Sequence, residues 1–430
     1  MSKKKLQVFT LGCSKNTVDT EHLLGMVGDA MEVVPEDVDP RFTDYVLLNT
    51  CGFIGDAKEE SVNAILSAAG RKTAGRVGRL IVFGCLSQRY MDQLPSLIPE
   101  VDEWFGARDL APVARALGLE PGEGIARYRT ASAPGYAYLK ISEGCDRRCS
   151  YCAIPLIRGA HRSVPRETLL AEARSLASEG VKELILIAQD TTYYGLDLYG
   201  RRALADLLRD LCGVEGIEWI RIHYSYPASF PEDVLDLMAV EPKICPYMDI
   251  PLQHISDPVL KAMRRSIDSK GTRELIDKIR SKVPGIVLRT TMMVGHPGEG
   301  EAEFEELLDF VREARFERLG AFIYSEEEGT YGAREFEDAV PDEVKRSRLD
   351  RLMELQRGIS ASFNLSRVGT EEMVLVDEVR DGVCICRSRY ESPDVDGEII
   401  VGTKDAPAPG TFVRVRITGA DDYDLTAELL

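Results

Sequence analysis

No stretch of this 430-residue chain approaches the roughly 18–20 consecutive apolar residues that a bilayer-spanning helix needs. Positive charge is scarce as well: 53 Lys and Arg stand against 71 Asp and Glu, a formal net charge of −18. Generic attraction to nucleic acid or to an anionic membrane is therefore not expected, and any contact with RNA would need a local basic patch. The opening segment MSKKKLQVFTLGC carries a basic cluster, but its apolar run is too short for a signal peptide. A cytoplasmic protein with no membrane partner is expected. In that reducing setting the ten cysteines are not a disulfide framework; they read as metal ligands, catalytic groups or core residues. Low-complexity tracts and short-period repeats are missing too.

What is present is enough apolar content, 44% of residues, to fill real cores, and length for about two to four domains. Three strand-like runs occupy the first hundred positions: LQVFTLGC (6–13), YVLLNTC (45–51) and RLIVFGC (79–85). Each precedes a helix-like stretch such as 58–70, which predicts an open parallel α/β unit. Cys13, Cys51 and Cys85 each close one of these runs. In an open parallel sheet those ends lie side by side along one edge, where ligands bind. The spacings amount to one βα unit each, so the three thiols are expected to converge. The alternative is three unrelated core thiols, since free cysteine is commonly buried.

Residues 126–139 read as a polar linker. Beyond it lie six strand candidates, at 136–142, 183–190, 219–225, 247–253, 286–295 and 319–325, separated by helical segments such as 166–180 and 302–316. That alternation predicts a partial (β/α)6 TIM-like barrel with its site at the strand C-termini. The segment SEGCDRRCSYCAIP (142–155) follows the first of these strands and places Cys145, Cys149 and Cys152 in a CxxxCxxC spacing. No histidine lies near enough in sequence to complete a zinc site, and three ligands leave one metal position open. Residues 341–369 read as a charged helical connector, and from 370 onward short strands predict a small antiparallel β-barrel of roughly sixty residues. Three units are thus expected: 1–125, 131–368 and 369–430. Cys212, Cys245, Cys384 and Cys386 read as packing thiols, and His254 and His296 as hydrogen-bonded core side chains.

The motif CxxxCxΦC, with Tyr151 as its aromatic residue, resembles the radical S-adenosylmethionine superfamily when it follows the first strand of a partial barrel. LGCSKNTVDTE (11–21), EGCDRRCSYCAIPLIRG (143–159), AQDTTYYGLDLYG (188–200), PLQHISD (251–257) and RTTMMVGHPGE (289–299) narrow the resemblance to the methylthiotransferases, over essentially the whole chain. It implies two [4Fe-4S] clusters. One would be held by Cys145, Cys149 and Cys152, with S-adenosyl-L-methionine on its open iron, and an auxiliary one by Cys13, Cys51 and Cys85. An electron entering the sulfonium would release a 5′-deoxyadenosyl radical, and the terminal unit would be a TRAM domain. The motifs look most like the branch that methylthiolates the β-carbon of an aspartate in small-subunit ribosomal protein twelve, using two S-adenosylmethionine per turnover. An electron donor such as flavodoxin or ferredoxin is implied. The tRNA-adenosine branch is the near alternative, and a non-catalytic iron–sulfur electron carrier the alternative of a different class.

Ser14, Lys15 and Asn16 stand where the tRNA branch reads glutamine-methionine-asparagine, and Lys15 suits a substrate carboxylate; a solvated surface lysine is the other reading. Thr291 stands where that branch carries an aspartate, which removes repulsion against a substrate aspartate. Residues 369–430 hold fourteen Asp and Glu against six Lys and Arg, a net of −8. A barrel that grips RNA needs cations to neutralise phosphates, so tRNA is an unlikely partner and a basic ribosomal protein a suitable one. Gln189 and Gln253, each at a barrel strand end, are candidates for contacting S-adenosylmethionine, or else for capping a loop. Departures from the family pattern are Thr20, Val164, His296 and Gly300; none is a cluster ligand.

Overall fold

A computed structural model describes residues 3–120, 127–130, 133–403 and 405–430. The first sheet contains β1 (Lys4–Thr10), β2 (Met31–Val34), β3 (Thr43–Thr50), β4 (Val77–Gly84) and β5 (Glu103–Trp104), paired in the order β2-β1-β3-β4-β5. Every pairing is parallel. The central strands β3 and β4 are apolar on both faces because both are covered. Leu47, Ile81 and Phe83 pack against Leu23 and Leu24 of helix α1 (Ser14–Val27), while Val46, Leu48 and Val82 pack against Ile65 and Ala68 of α2 (Gly55–Thr73). The short edge strands β2 and β5 have too few residues for a periodic signal, and the sequence pattern does not reveal them.

The second sheet opens with β6 (Tyr136–Lys140), which runs into a two-stranded ribbon of β7 (Ser142–Glu143) and β8 (Arg162–Ser163). It continues through β9 (Glu183–Ile187), β10 (Trp219–Ile222), β11 (Ile244–Asp249), β12 (Val287–Val294) and β13 (Arg318–Ile323). Sequence neighbours in this series pair in parallel, in the order β13-β12-β11-β10-β9-β6. All six expected strands are present, and among the described residues β6 and β13 do not pair, so the barrel stays open. Leu169, Leu207, Ile276 and Phe304, from four intervening helices, close a single large core over the outside of the sheet. Helix Asp342–Arg367 is more than a connector: its Leu352 and Ile359 join that core, and its Gln356 Nε2 donates to the Phe316 carbonyl at 2.9 Å.

The third sheet is a closed barrel of β14 (Glu371–Arg380), β15 (Val383–Arg387), β16 (Ile399–Gly402), β17 (Phe412–Ala420) and β18 (Leu425–Leu429). Four of its pairings are antiparallel, and β16 runs parallel to β18. Cys384 and Cys386 alternate along β15 and both face its core, as expected of packing thiols.

The segment between β15 and β16 is stitched into the open barrel. Tyr138 and Tyr247 donate to Asp394 and Asp396 at 2.9 and 2.7 Å, and Ser392 Oγ lies 2.8 Å from His223 Nε2. Below them, Glu183 takes both Arg221 at 2.7 Å and Arg387 at 2.9 Å, all three fully out of solvent. The expected linker is less loose than its composition suggests. Residues 126, 131 and 132 lie outside the described ones, but Arg127 buries its guanidinium between Glu21 and Glu172. Among the described residues no helix is long and apolar enough to cross a membrane.

Candidate active site

Three successive βα turns of the first sheet, after β1, β3 and β4, each carry a cysteine. Cys13 is the N-cap of α1, Cys51 directly follows β3, and Cys85 opens the short helix α3 (Cys85–Arg89). Gly12 sets the spacing between the first two: its φ is +95°, and a Cβ there would meet the Cys51 Cβ at 2.7 Å and its sulfur at 2.9 Å. No side chain fits at that position. Cys51 and Cys85 are buried and Cys13 is exposed. Burial pushes the Cys85 thiol up to about 11, against the nearby Arg158 guanidinium, and the neighbouring Cys13 and Cys51 push the same way. The three cysteines thus sit at neighbouring turns along one edge of the sheet.

The second set lies in the loop after β7. Gly144, with φ of +76°, lets the backbone turn against the Ala160 carbonyl just before Cys145. Cys145, Cys149 and Cys152 line one cavity of ≈ 680 Å³, rimmed by Arg147, Tyr193 and Arg264. Burial pushes Cys145 up to about 12 and raises Cys152, the adjacent thiols adding to both shifts. The Arg147 backbone N–H points at the Cys145 sulfur from 3.4 Å, and Arg265 Nη1 stands 3.5 Å from that of Cys149. Among the described residues no three His, Cys, Asp or Glu side chains are drawn together tightly enough for one metal ion. In a cubane each thiolate takes its own iron, so three thiols spread around a cavity suit it. The donor set is the one such clusters take.

The C-terminal ends of the barrel strands carry several buried polar atoms without a partner among the described residues. Ser142 just past β6, Gln189 past β9, Ser225 past β10 and Gln253 past β11 each bury a side-chain oxygen that has no hydrogen-bond partner among the described residues. Buried polar groups are rarely left so, and four on successive strands describe a polar ligand surface at the C-terminal edge of the barrel. Gln189 spends its amide N–H on Glu143 at 2.8 Å, which aims its oxygen elsewhere. Gln253 sits at φ +76°, a costly conformation for a side-chain-bearing residue, with its backbone bonded to Thr291 and Met293. These features suit S-adenosylmethionine, whose amino and hydroxyl groups need acceptors.

Lys15 is not a solvated surface lysine. It is buried on the first turn of α1, with Nζ 3.2 Å from the centre of the Tyr224 ring, and among the described residues it has no ion pair. His296 and His254 are buried and hydrogen-bonded as expected, His296 to the Pro297 carbonyl at 2.9 Å and His254 to the Ser256 N–H at 3.0 Å. Burial brings His296 down to about 4, so it is neutral. Cys245 is buried and Cys212 half-buried, away from both sets.

Sequence reasoning misses the charged layer between the two sets. Arg158, three per cent exposed, donates to Asp19 Oδ2 at 2.7 Å, to Glu143 Oε2 at 3.2 Å and to Asn16 Oδ1 at 2.6 Å. Lys140 completes the layer through Asp19 and Glu143. The only sequence signal is positional. Asn16 and Asp19 are three apart on one helix face just after Cys13, and Arg158 stands six positions after Cys152.

Comparison with known proteins places these features. The family model of the Radical SAM superfamily matches residues 139–311, that of the TRAM domain 368–430, and that of the Uncharacterized protein family UPF0004 residues 5–106. The chain is 49% identical over 432 residues, all of itself and 99% of the relative, to the "Ribosomal protein uS12 methylthiotransferase RimO" of Bacteroides thetaiotaomicron. Proteins of the same name from Porphyromonas gingivalis and Flavobacterium johnsoniae are each 49% identical over the whole chain and 100% and 98% of their own lengths. Among solved structures, the radical S-adenosylmethionine methyltransferase TsrM from Kitasatospora setae, with cobalamin and a [4Fe-4S] cluster bound, superposes with a TM-score of 0.57 at 13% identity, over 90% of this chain and 77% of its own. The cobalamin-dependent radical enzyme OxsB gives 0.52 at 14%, over 83% and 56%. At such identities these two speak for the fold alone.

Proposed function

The chain belongs to the family of RimO-type ribosomal protein uS12 methylthiotransferases, and on that premise we propose that it adds a methylthio group to the β-carbon of an aspartate in uS12. The observation that carries this reading is the pairing of two three-cysteine sets with a buried Lys15 that has no ion pair among the described residues. Cys145, Cys149 and Cys152 hold the radical cluster, and Cys13, Cys51 and Cys85 the auxiliary one. When bound, the clusters and S-adenosylmethionine supply one-electron cleavage chemistry and the sulfur and methyl groups to be transferred, with two S-adenosylmethionine consumed per turnover. The chain divides into units at 1–125, 131–368 and 369–430.

The protein's own residues select and hold. Gln189 and Gln253 orient the S-adenosylmethionine through their amide oxygens, which have no partner among the described residues. Lys15 binds the substrate carboxylate and fixes which carbon is presented, and the Tyr224 ring under its ammonium keeps it in place. Lys15 is buried, and the exclusion of water from it strengthens the contact.

The terminal barrel favours a basic protein over tRNA. Its exposed Arg380 is held by Glu378, and Arg414 and Arg416 are held by Glu371, while Arg387 is buried against Glu183. Those cations are committed to carboxylates and unavailable to phosphates. The physiological electron donor is a flavodoxin or ferredoxin, and the compartment is the cytoplasm. The test is intact-mass analysis of ribosomal proteins from cells with and without the gene, beside nucleoside analysis of their tRNA. A methylthio-sized shift on uS12 that vanishes with the gene is the expected result. An unchanged uS12 together with loss of a methylthio-adenosine overturns it in favour of the tRNA branch.

A further inference from the structure

One guanidinium touches both halves of the site. Arg158 ends the helix Ile154–Arg158, which follows the barrel cysteines, yet its Nε lies 3.3 Å from the sulfur of Cys85 in the first sheet. Both of its terminal nitrogens are also engaged. Nη1 donates to Asp19 Oδ2, Glu143 Oε2 and the Ala107 carbonyl at 2.7, 3.2 and 3.2 Å, and Nη2 to Asn16 Oδ1 at 2.6 Å. A side chain so held cannot turn its Nε away from the sulfur. The surroundings are also charge-balanced: Arg158 and Lys140 face Asp19 and Glu143, two cations against two anions.

We infer that Arg158 sets the reduction potential of the cluster held by Cys13, Cys51 and Cys85, by reaching across from the barrel to donate its Nε–H to the Cys85 sulfur. This rests on the ligand assignment proposed above. Reduction adds negative charge to a cluster and its thiolates. A hydrogen bond and a positive charge at one sulfur stabilise the reduced form and make the potential less negative. Burial makes the effect larger than it would be at a wet surface. The barrel set has a different neighbour, Arg265, 3.5 Å from the Cys149 sulfur. The two centres are thus tuned by separate arginines. Because Glu143 holds Arg158 and also receives the amide of Gln189, the auxiliary centre's tuning residue is anchored where S-adenosylmethionine is proposed to bind.

The test uses the full chain with Cys145, Cys149 and Cys152 changed to alanine, so that only the auxiliary cluster remains, and an electron-paramagnetic-resonance redox titration. In that background Arg158→Met is combined with Asp19→Asn, which removes one cation and one anion and leaves Lys140 paired with Glu143. The expected result is unchanged iron content and a midpoint potential shifted to more negative values. Arg158→Lys, which keeps the charge but loses the fork that aims Nε at Cys85, should shift the same way by less. Arg265→Lys should leave this potential where it was. An unchanged potential in an iron-replete Arg158 variant overturns the inference. A background protein that binds no iron at all would instead defeat the assignment of Cys13, Cys51 and Cys85 as ligands.

Discussion

Lys15 lies over the face of Tyr224, its ammonium 3.2 Å from the ring centre, and this contact joins the first sheet to the end of β10. A buried cation resting on a π-face still has donors to offer, and a carboxylate is the partner it most lacks. Lys15→Met should leave iron content and substrate docking intact and lower kcat/KM about 10- to 100-fold, the range expected for a lost charge-assisted contact of about 1.5–3 kcal/mol. Turnover assayed on purified uS12 reads the effect. Parent-like turnover in a fully loaded Lys15→Met protein would remove the residue from the substrate site.

Anaerobic reconstitution should give about eight irons per chain, two cubanes of four. Changing either cysteine set to alanine should halve that. The two halves should then differ in behaviour. A protein lacking Cys13, Cys51 and Cys85 should still release 5′-deoxyadenosine without transferring a methylthio group, whereas one lacking the barrel set should do neither. Loss of 5′-deoxyadenosine in a folded variant of the first kind would show that the centres are not separable.

Docking of a basic substrate should weaken with salt, and binding to tRNA should stay negligible at low ionic strength. Asp421 and Asp422 are exposed on the terminal barrel and suit charge reversal; Asp424 does not, since its Oδ1 accepts the Glu398 N–H at 2.8 Å. Asp421→Lys with Asp422→Lys should raise KM for uS12 and leave both iron contents alone. Steady-state kinetics across a salt series checks this. A KM indifferent to both salt and reversal would place docking elsewhere.

Glu391 holds the terminal barrel to helix Asp342–Arg367 and to β13. It accepts from Arg318 at 2.9 Å and from Ser388 Oγ at 2.7 Å, and it pairs with Arg367. Burial alone would raise its carboxyl, but Arg367 and Arg318 win and hold it at about 2 instead of the usual 4.5. A carboxylate depressed on folding stabilises above its unfolded value, so this contribution is full above about pH 4.5 and drains away as pH falls towards 2. Glu391→Gln takes from the buried Arg318 its one carboxylate among the described residues, while Arg367 keeps Glu372, and should cost about 3–5 kcal/mol. Denaturant unfolding at neutral pH gives the number; a variant within 1 kcal/mol of the parent, roughly the size of a surface change, would contradict it.

Much of the fold is legible in the sequence because its signals are local. Long buried strands such as β3 and β12 announce themselves by apolar runs, and cysteines at strand ends need only the rule that parallel strands share an edge. The three-thiol loops are legible for the same reason. What escapes is set by neighbours distant in the chain. Arg158 looks like any arginine in a loop until Asp19 and Cys85, 139 and 73 positions away, fold against it. Lys15 leaves its alternatives open until Tyr224 arrives beneath it. β16 and β18 run parallel inside an otherwise antiparallel barrel because the chain crosses from β16 to β17, beside β14, before β18 returns between them, and no turn motif records that crossing. Helix Asp342–Arg367 hides its packing face under a majority of charged residues, some of which, like Arg348 against Glu299, are themselves buried.

The stitching of Asp394 and Asp396 into the open barrel makes the terminal unit a fixed jaw, where a tethered arm could have swung. Its distance from Lys15 is built in, so under the docking proposed above it would work as a gauge as well as a grip. A substrate that docks on it must carry its aspartate on a loop of the right reach. A protein with equal charge and a shorter loop would be held and left unmodified.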